Sequence, residues 1–229
     1  ADDHAGPVAE LDDPALLAKV VPTYPPFGKR MLQDNGTWLA TLKRDNVDLV
    51  TDPIAAITPQ GVRTVEGTEY PVDVIVFATG FHANRFLWPM EIAGRDGLTL
   101  HERWGEEPRA YLGITVPGFP NLFCLYGPGT NLAHAGSIIF HSECQVRYVM
   151  GCLVALLAGG FAAMDCRQDV HDAYAARFDA RHTTLVWSHP GMNNWYKNAN
   201  GRVLTTSPWR LVDYWGWTKS PALEDYEIR

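Results

Sequence analysis

The sequence predicts an α/β fold, and three patterns in the chain support this. The first is an uninterrupted apolar run at residues 74–78, typical of a strand buried on both faces of a parallel sheet. The second is another apolar run at residues 122–126, followed by a long helical pattern over residues 138–158. The third is an amphipathic helical pattern over residues 169–182. Strands that alternate with helices in this way indicate α/β architecture.

Composition sets limits on the class of protein. The 229 residues fit one large domain or two small ones, and the net charge of −7 argues against a broad basic surface for nucleic acid. The longest apolar candidate, residues 149–164, is broken by glycines, so we expect a buried helix and no membrane span. The four cysteines lack CxxC spacing, which predicts no zinc site, no disulfide framework and a reduced cytoplasmic setting.

The first part of the chain predicts a short helix over residues 12–21, with Asp12 or Asp13 as its cap and Pro22 as its stop. Residues 24–28 contain two prolines, which predict an extended, stiff segment. A second short helix is expected over residues 37–43.

Strands follow this helix in the predicted order. They cover residues 47–50 and 54–58, then a hairpin that turns at Glu66-Gly67, then the buried strand 73–78. A strand, hairpin and buried strand in this order are typical of the end of a nucleotide-binding α/β domain.

The second part of the chain predicts a long helix that Ser137 caps and that Gly159-Gly160 ends. Its expected apolar side is a stripe of five residues. These are Ile139, Val146, Val149, Leu153 and Leu157. The tail from residue 183 is rich in loops and holds five of the eight tryptophans.

Two turns are candidate binding elements. The segment Gly127-Pro128-Gly129 leads to a helix start near Ser137, where free N–H groups suit a negative or electron-rich group. The alternative is an ordinary strand-to-helix turn. The loop that holds Trp195, Asn198 and Arg202 combines aromatic, amide and cationic groups, which suit ring stacking and phosphate binding. Its alternative is surface turn chemistry.

The basic pair Lys29-Arg30 is the third candidate. A guanidinium held after a rigid proline segment can stabilise an anion in a closed pocket, although most such pairs are solvated surface charges. The histidines form no HxH or HExxH pattern, so no metal site is expected. The sequence also lacks a GxSxG elbow, a Walker loop and the GxGxxG turn.

Taken in order, the segments resemble the carboxyl-terminal part of Baeyer–Villiger monooxygenases, a group of class B flavoprotein monooxygenases. The most similar branch is that of 4-hydroxyacetophenone monooxygenase. The resemblance covers nearly the whole chain. Its segments are residues 24–30, 44–50, 73–81, 110–113, 117–123, 127–129 and 195–202.

The resemblance implies part of a Rossmann-type fold with two dinucleotide-binding domains, for FAD and NADPH. NADPH reduces the flavin, O2 adds to give a flavin C4a-peroxide, and attack on a ketone gives an ester or lactone. The implied partners are therefore a small ketone, O2 and the missing amino-terminal part of the same polypeptide. Residues 1–26 would end a helical insertion, 27–77 would finish the NADPH domain, and 78–229 would belong to the FAD domain.

By position in the resemblance, Arg30 is the catalytic arginine and Lys29 contacts the 2′-phosphate region of NADP. Ala78, Thr79 and Gly80 match the linker between the two nucleotide domains. The segment from Gly127, Pro128 and Gly129 to Ser137 matches the part that lies near the flavin ring. Trp195, with Asn198 and Arg202, matches a mobile loop that closes over NADP.

The chain departs from the family by lacking both GxGxxG turns. His82 also replaces an acidic residue that many relatives carry. We therefore expect a fragment that binds cofactor poorly and is inactive alone. Two alternatives remain open: a flavin-containing monooxygenase that oxidises nitrogen or sulfur, and a non-catalytic remnant.

Overall fold

The computed structural model describes residues 13–29, 35–133 and 136–229. They form two compact units, the first with residues 13–23 and 35–81, the second with residues 24–29, 82–133 and 136–229. The helices are α1 (Pro14–Val20), α2 (Thr37–Leu42), α3 (Leu100–Trp104), α4 (Ile138–Gly159), α5 (Gln168–His182) and α6 (Leu211–Trp217). The strands are β1 (Ile54–Thr58), β2 (Gly61–Thr64), β3 (Glu69–Pro71), β4 (Met164–Cys166) and β5 (Tyr226–Ile228).

Both short helices of the first unit are confirmed. Asp13 caps helix α1, and its carboxylate accepts hydrogen bonds from the backbone of Ala15 at 2.8 Å and Leu16 at 3.2 Å. Pro14 occupies the first helical position, and the helix stops just before Pro22. Helix α2 covers all but the last residue of its predicted range.

The sheet of the first unit has three antiparallel strands in the order β1-β2-β3. This confirms the predicted strand 54–58 and the hairpin. Gly61 is required at the β1–β2 turn because a Cβ there would lie 2.0 Å from the carbonyl oxygen of Tyr70. The predicted strand 47–50 is wrong, since the carbonyl of Leu49 accepts from Lys19 Nζ at 3.1 Å instead of joining a ladder.

The predicted buried strand 73–78 is also wrong. It has no regular secondary structure, and Val74, Val76 and Phe77 are 76%, 83% and 71% exposed. The physical reason is pairing: β3 ends at Pro71, and within the described residues the sheet contains only β1, β2 and β3. Without a neighbouring strand, the backbone N–H and C=O groups of an apolar run have no ladder partners, and its side chains have no surface to pack against.

The second unit is organised around α4. A cluster of buried residues joins one face of this helix to β4, α5, α6 and β5. Its members are Leu112, Ile114, Cys144, Tyr148, Cys152, Leu156, Met164, Cys166, Tyr174, Tyr214 and Tyr226. Strands β4 and β5 pair antiparallel, with Cys166 opposite Tyr226.

The ends of α4 agree with prediction, but its buried face does not. Ser137 Oγ accepts from the backbone of Ile139 at 3.2 Å, and Gly160 ends the helix with a positive φ of 69°. Of the expected apolar stripe, Val149 packs against the buried cluster, but the other four residues face outward, with Ile139 68% and Leu157 83% exposed. The helix carries apolar residues on more than one side, so periodicity alone did not identify the side that is buried.

Two further local predictions are wrong. Residues 122–126 form no strand: the amide of Cys124 donates to Ile114 at 2.7 Å, but the left-handed φ of 55° at Tyr126 ends extended pairing. The proline segment turns instead of extending, with a hydrogen bond from the Gly28 amide to the Pro25 carbonyl at 3.2 Å. Phe27 there has a φ of 63°.

Helix α5 confirms the predicted amphipathic helix, and the tail after it is mostly loop, as expected. Among the described residues, no helix combines the length and apolar character that a membrane crossing requires.

Candidate functional site

The start of α4 is held against α6. Gly136 has a φ of 87°, and a Cβ there would lie 2.6 Å from the Leu211 side chain, so glycine permits this close approach. Ser137 then uses its hydroxyl group to cap the helix. The predicted binding residue Ser137 is thus at the helix start, with its side chain engaged in capping.

A cavity of about 660 Å³, partly open to solvent, lies beside this helix start. Its walls are largely apolar and include Leu185, Trp187 and Trp209. Arg210 also lines it, but its guanidinium is paired with Asp213 at 2.7 Å. This cavity fits a flat, largely apolar group better than a free anion.

The segment Gly127-Pro128-Gly129 is buried against the protein itself. A Cβ at Gly127 would lie 2.4 Å from the Gly113 carbonyl oxygen, and one at Gly129 would lie 2.5 Å from the Phe178 ring. Both glycines therefore have a packing role that needs no ligand. Their cofactor role remains a prediction.

The loop at residues 195–202 is a tight turn organised by Asn198. The Asn198 side-chain oxygen accepts from the backbone of Asn200 at 3.1 Å and of Arg202 at 2.9 Å. Its amide nitrogen donates to the Glu106 carbonyl at 3.3 Å. Trp195 is 48% exposed and its ring lies 4.3 Å from that of Tyr196. The turn is fixed at Asn198, while Trp195 presents an open ring face.

Arg202 is held by a carboxylate of α5. Its Nε and Nη2 atoms each lie 2.8 Å from Asp179 Oδ1, and its side chain is 15% exposed. Arg109 Nη2 lies 3.5 Å from the other oxygen of Asp179 and 3.1 Å from Glu107. Burial favours a raised pKa at Glu107, but hydrogen bonds from Asn200 and Arg109 outweigh it and hold that pKa below its ordinary value.

One guanidinium nitrogen of Arg202 is an unused hydrogen-bond donor among the described residues. Its Nη1 atom is buried and makes no hydrogen bond among the described residues. Arg202 lines a narrow cavity with Pro128 and Gly129. The structure therefore brings these three predicted site residues together around one small space.

The segment before the basic pair contacts the loop region of the same unit. Gly28 is buried against Met192, and Asn194 Nδ2 donates to the Gly28 carbonyl at 3.3 Å. Lys29 is exposed, and its Nζ lies 4.7 Å from the centre of the Tyr24 ring. Arg30, the predicted catalytic residue, lies outside the described residues.

Ala78, Thr79 and Gly80 belong to the first unit and are exposed. Gly80 has a φ of 82°, a left-handed conformation that favours glycine at this turn. Their linker role remains a prediction.

Two buried histidines were not among the predicted site residues. His141 stacks on Tyr214, with ring centres 4.3 Å apart, and burial lowers its pKa to about 4. The Nε2 atom of His182 lies 3.0 Å from the Thr206 carbonyl oxygen, and burial lowers the pKa of this residue also to about 4. Both rings are neutral at pH 7.

Sequence reasoning missed the side chains that position the loop. They include Asp179, Glu107 and Asn194. No motif marks them, since each is a common polar residue whose partner is distant in sequence or lies in an irregular segment. The one signal was that Asp179 lies on a predicted amphipathic helix. That pattern does not identify an arginine as its partner.

Comparison with known proteins gives the wider context. No family model matches the chain. An uncharacterized monooxygenase, y4iD, from Sinorhizobium fredii is 43% identical over 214 residues, which cover 93% of this chain and 32% of y4iD. A Baeyer–Villiger monooxygenase from Pseudomonas aeruginosa is 35% identical over 206 residues, which cover 88% of this chain and 39% of that enzyme.

A similar solved structure is that of OTEMO in complex with FAD and NADP. It has a TM-score of 0.85 and 25% identity, and the match covers 96% of this chain and 42% of OTEMO. The predicted fold class, a partial α/β flavoprotein fold, is confirmed by this match. The chain spans less than half the length of the proteins it matches.

Proposed function

We propose that this chain, which is homologous to Baeyer–Villiger monooxygenases over about 40% of their length, is the carboxyl-terminal part of such an enzyme. The enzyme would use FAD, NADPH and O2 to insert one oxygen atom beside a ketone carbonyl, giving an ester or lactone. The observation that carries this proposal is the 35% identity over 206 residues to the Pseudomonas Baeyer–Villiger monooxygenase.

The domain boundaries belong to the same proposal. Residues 1–26 would end a helical insertion, residues 27–77 would finish the NADPH domain, and residues 78–229 would belong to the FAD domain. The two compact units divide the chain differently, with residues 24–29 in the second unit and residues 78–81 in the first. The four cysteines are buried and free, which supports a reducing, cytoplasmic setting.

Exposed apolar surface supports the dependence on a further part of the polypeptide. In the first unit, Val74, Val76 and Phe77 are exposed in a row, and in the second unit α4 exposes Ile139, Leu157 and their neighbours. Contiguous apolar surface of this kind marks an interaction surface in a soluble protein. We assign it to contacts with the amino-terminal part, which also supplies the phosphate-binding glycine turns.

Each predicted residue has a proposed task in the complete enzyme. FAD, when bound, supplies the oxygen-activating chemistry. Arg30 provides a fixed cation for negative charge that develops during the reaction, and Lys29 binds the 2′-phosphate of NADP. The cavity beside Gly136 and Ser137 fits one side of a flat ring.

The remaining predicted residues would bind the cofactors or shape the site around them. Trp195 offers an open ring face for stacking, and Asn198 fixes the turn that carries it. The Nη1 atom of Arg202 is the part of that guanidinium left for an anionic group. Gly127, Pro128 and Gly129 shape the backbone near the flavin, and Ala78, Thr79 and Gly80 link the two nucleotide domains.

The proposal is tested by absorbance spectra of the 229-residue chain and of the polypeptide that includes the amino-terminal part. We expect the longer protein to retain flavin bands and to convert a ketone to an ester with NADPH consumption, and the 229-residue chain to retain none. A longer protein that binds flavin but oxidises only a sulfide would establish the nitrogen- or sulfur-oxidising alternative. A longer protein that retains no flavin would support a non-catalytic remnant.

A further inference from the structure

A second groove of the second unit lies outside all the predicted site residues. Its space, partly open to solvent, is about 890 Å³. The residues that define it come from the segment after residue 82 and from α3. They are Asn84, Arg85, Phe86, Trp88, His101 and Trp104.

Aromatic rings form the walls of this groove. Phe86 and Trp104 meet edge to face, with ring centres 6.3 Å apart, and Trp88 lies 4.5 Å from the ring of His101. Trp88 is 58% exposed, so a large ring surface remains open to a ligand. Such walls favour a flat aromatic group, which can stack or pack edge to face.

Two residues that line the groove each carry a buried polar atom without a partner among the described residues. Asn84 Oδ1 and His101 Nε2 make no hydrogen bond to any of the described residues. A buried polar atom without a partner is destabilising, so a ligand that pairs with either atom is favoured over one that does not. Asn84 Oδ1 can accept a hydrogen bond from a hydroxyl group, and His101 Nε2 can donate or accept one according to its tautomer.

A cation lies at the edge of the same groove. The Arg85 guanidinium carbon lies 5.7 Å from the Trp88 ring, and no carboxylate of the described residues lies within ion-pair distance of it. Glu106 also lines the groove, and both Glu106 and Arg85 are exposed to solvent, but of the two only Arg85 lies over a ring of the groove. The Arg85 guanidinium, which lies over the Trp88 ring at the edge of the groove, favours a carboxylate attached to a ring.

We propose that this groove binds a flat aromatic carboxylate that carries a hydroxyl group. The ring packs between Trp88 and the Phe86–Trp104 pair, and the carboxylate pairs with Arg85. The hydroxyl group donates to Asn84 Oδ1, and the second carboxylate oxygen accepts from His101 Nε2 in the tautomer that carries hydrogen there. None of the predicted site residues lines this groove, and the binding expected here does not require flavin.

The test is titration calorimetry with 6-hydroxy-2-naphthoate, its amide 6-hydroxy-2-naphthamide, and 2-naphthoate, which lacks the hydroxyl group. We expect the hydroxynaphthoate to bind most tightly. Arg85→Gln should weaken it by about tenfold, to the level of the amide, because a charged hydrogen bond is lost. Binding of the amide should not change in this variant.

Matched variants distinguish a loss of binding at the groove from the general effect of removing a surface charge or of disturbing the fold. Arg147→Gln removes an exposed arginine of α4 outside the groove and should leave all three affinities unchanged. Asn84→Leu should remove the preference for the hydroxyl group while 2-naphthoate still binds. Near-ultraviolet circular dichroism of each variant verifies that the tryptophan environment is intact.

Three results would overturn the proposal: no binding of the hydroxynaphthoate by the folded chain, equal losses in Arg85→Gln and Arg147→Gln, or tighter binding of 2-naphthylmethylamine. The last result would mean that Glu106 sets the charge preference. Each measurement is independent of flavin content and ketone turnover, so failure here is distinguishable from failure of the proposed function.

Discussion

Asp179 holds Arg202 through a single carboxylate oxygen, Oδ1, which lies 2.8 Å from both Nε and Nη2 of the arginine. This contact ties α5 to the end of the turn that begins at Trp195. Arg202 is therefore first a structural residue of the loop. Its Nη1 atom is buried and has no hydrogen-bond partner among the described residues.

We predict that Asp179→Asn destabilises the protein by about 1–3 kcal/mol, because a largely buried guanidinium loses its charged partner. Asp213→Asn is the control, since its partner Arg210 is 76% exposed and such a pair contributes less than about 1 kcal/mol. Urea denaturation measures both changes, and trypsin cleavage after Lys197 should accelerate only in the first variant. Equal losses in the two variants would contradict the structural role of the contact.

Ser137→Ala should destabilise the protein by about 1 kcal/mol, because the hydroxyl group that caps α4 is removed. Ser142→Ala is the matched control: its hydroxyl group donates to Ile138 within the helix at 3.0 Å, a bond that the helix does not need. Thermal unfolding of both variants measures the difference. A Ser142 effect as large as that of Ser137 would rule out capping as the cause.

Stability should fall as the pH decreases from about 6.5 to about 4. Burial lowers the folded-state pKa of His141 and His182 to about 4 from an ordinary value of 6.5, so in this window the unfolded chain binds more protons. Each histidine can contribute a slope of up to about 1.4 kcal/mol per pH unit. The contribution is fully present above pH 6.5 and lost as the pH falls.

The histidine assignment is tested by His141→Phe, which keeps an aromatic ring against Tyr214 and should reduce the slope of unfolding free energy between pH 7 and 5. His82→Gln changes an exposed histidine and should leave the slope as it is. An unchanged slope in His141→Phe would show that this ring does not carry the acid sensitivity.

Leu157→Glu should affect stability differently in two forms of the protein. In the 229-residue chain Leu157 is 83% exposed, so the change should be nearly neutral for stability and should reduce binding of an apolar dye. In the longer polypeptide, if the face is covered, the same change buries a charge and costs about 2–4 kcal/mol. The same effect in both forms would mean that nothing covers this face.

Arg30→Ala in the longer polypeptide should leave reduction of the flavin by NADPH largely intact and abolish ketone oxygenation, because a fixed cation is lost from the reaction site. Stopped-flow flavin absorbance and product analysis measure the two steps separately. Arg44→Ala is the control, since it removes another arginine from the same part of the chain. Oxygenation at a near wild-type rate in Arg30→Ala would contradict the role of Arg30 as the cation of the reaction site.

The sequence by itself determined the features that depend on neighbours along the chain. Asp13 and Ser137 cap their helices because a side-chain oxygen reaches amides two or three residues ahead. The hairpin and the end of α4 at Gly160 follow from glycines in left-handed conformations. The order of motifs was enough to identify the family resemblance.

Only the tertiary structure decided which surfaces are buried and which polar groups meet. The apolar run at residues 74–77 and the outer stripe of α4 have the composition of a core, yet burial needs an opposing surface, and the described residues leave both exposed. Asp179 and Arg202 are 23 residues apart and no spacing rule joins them. Their contact exists because α5 and the loop pack together, a consequence of long-range packing that local patterns do not encode.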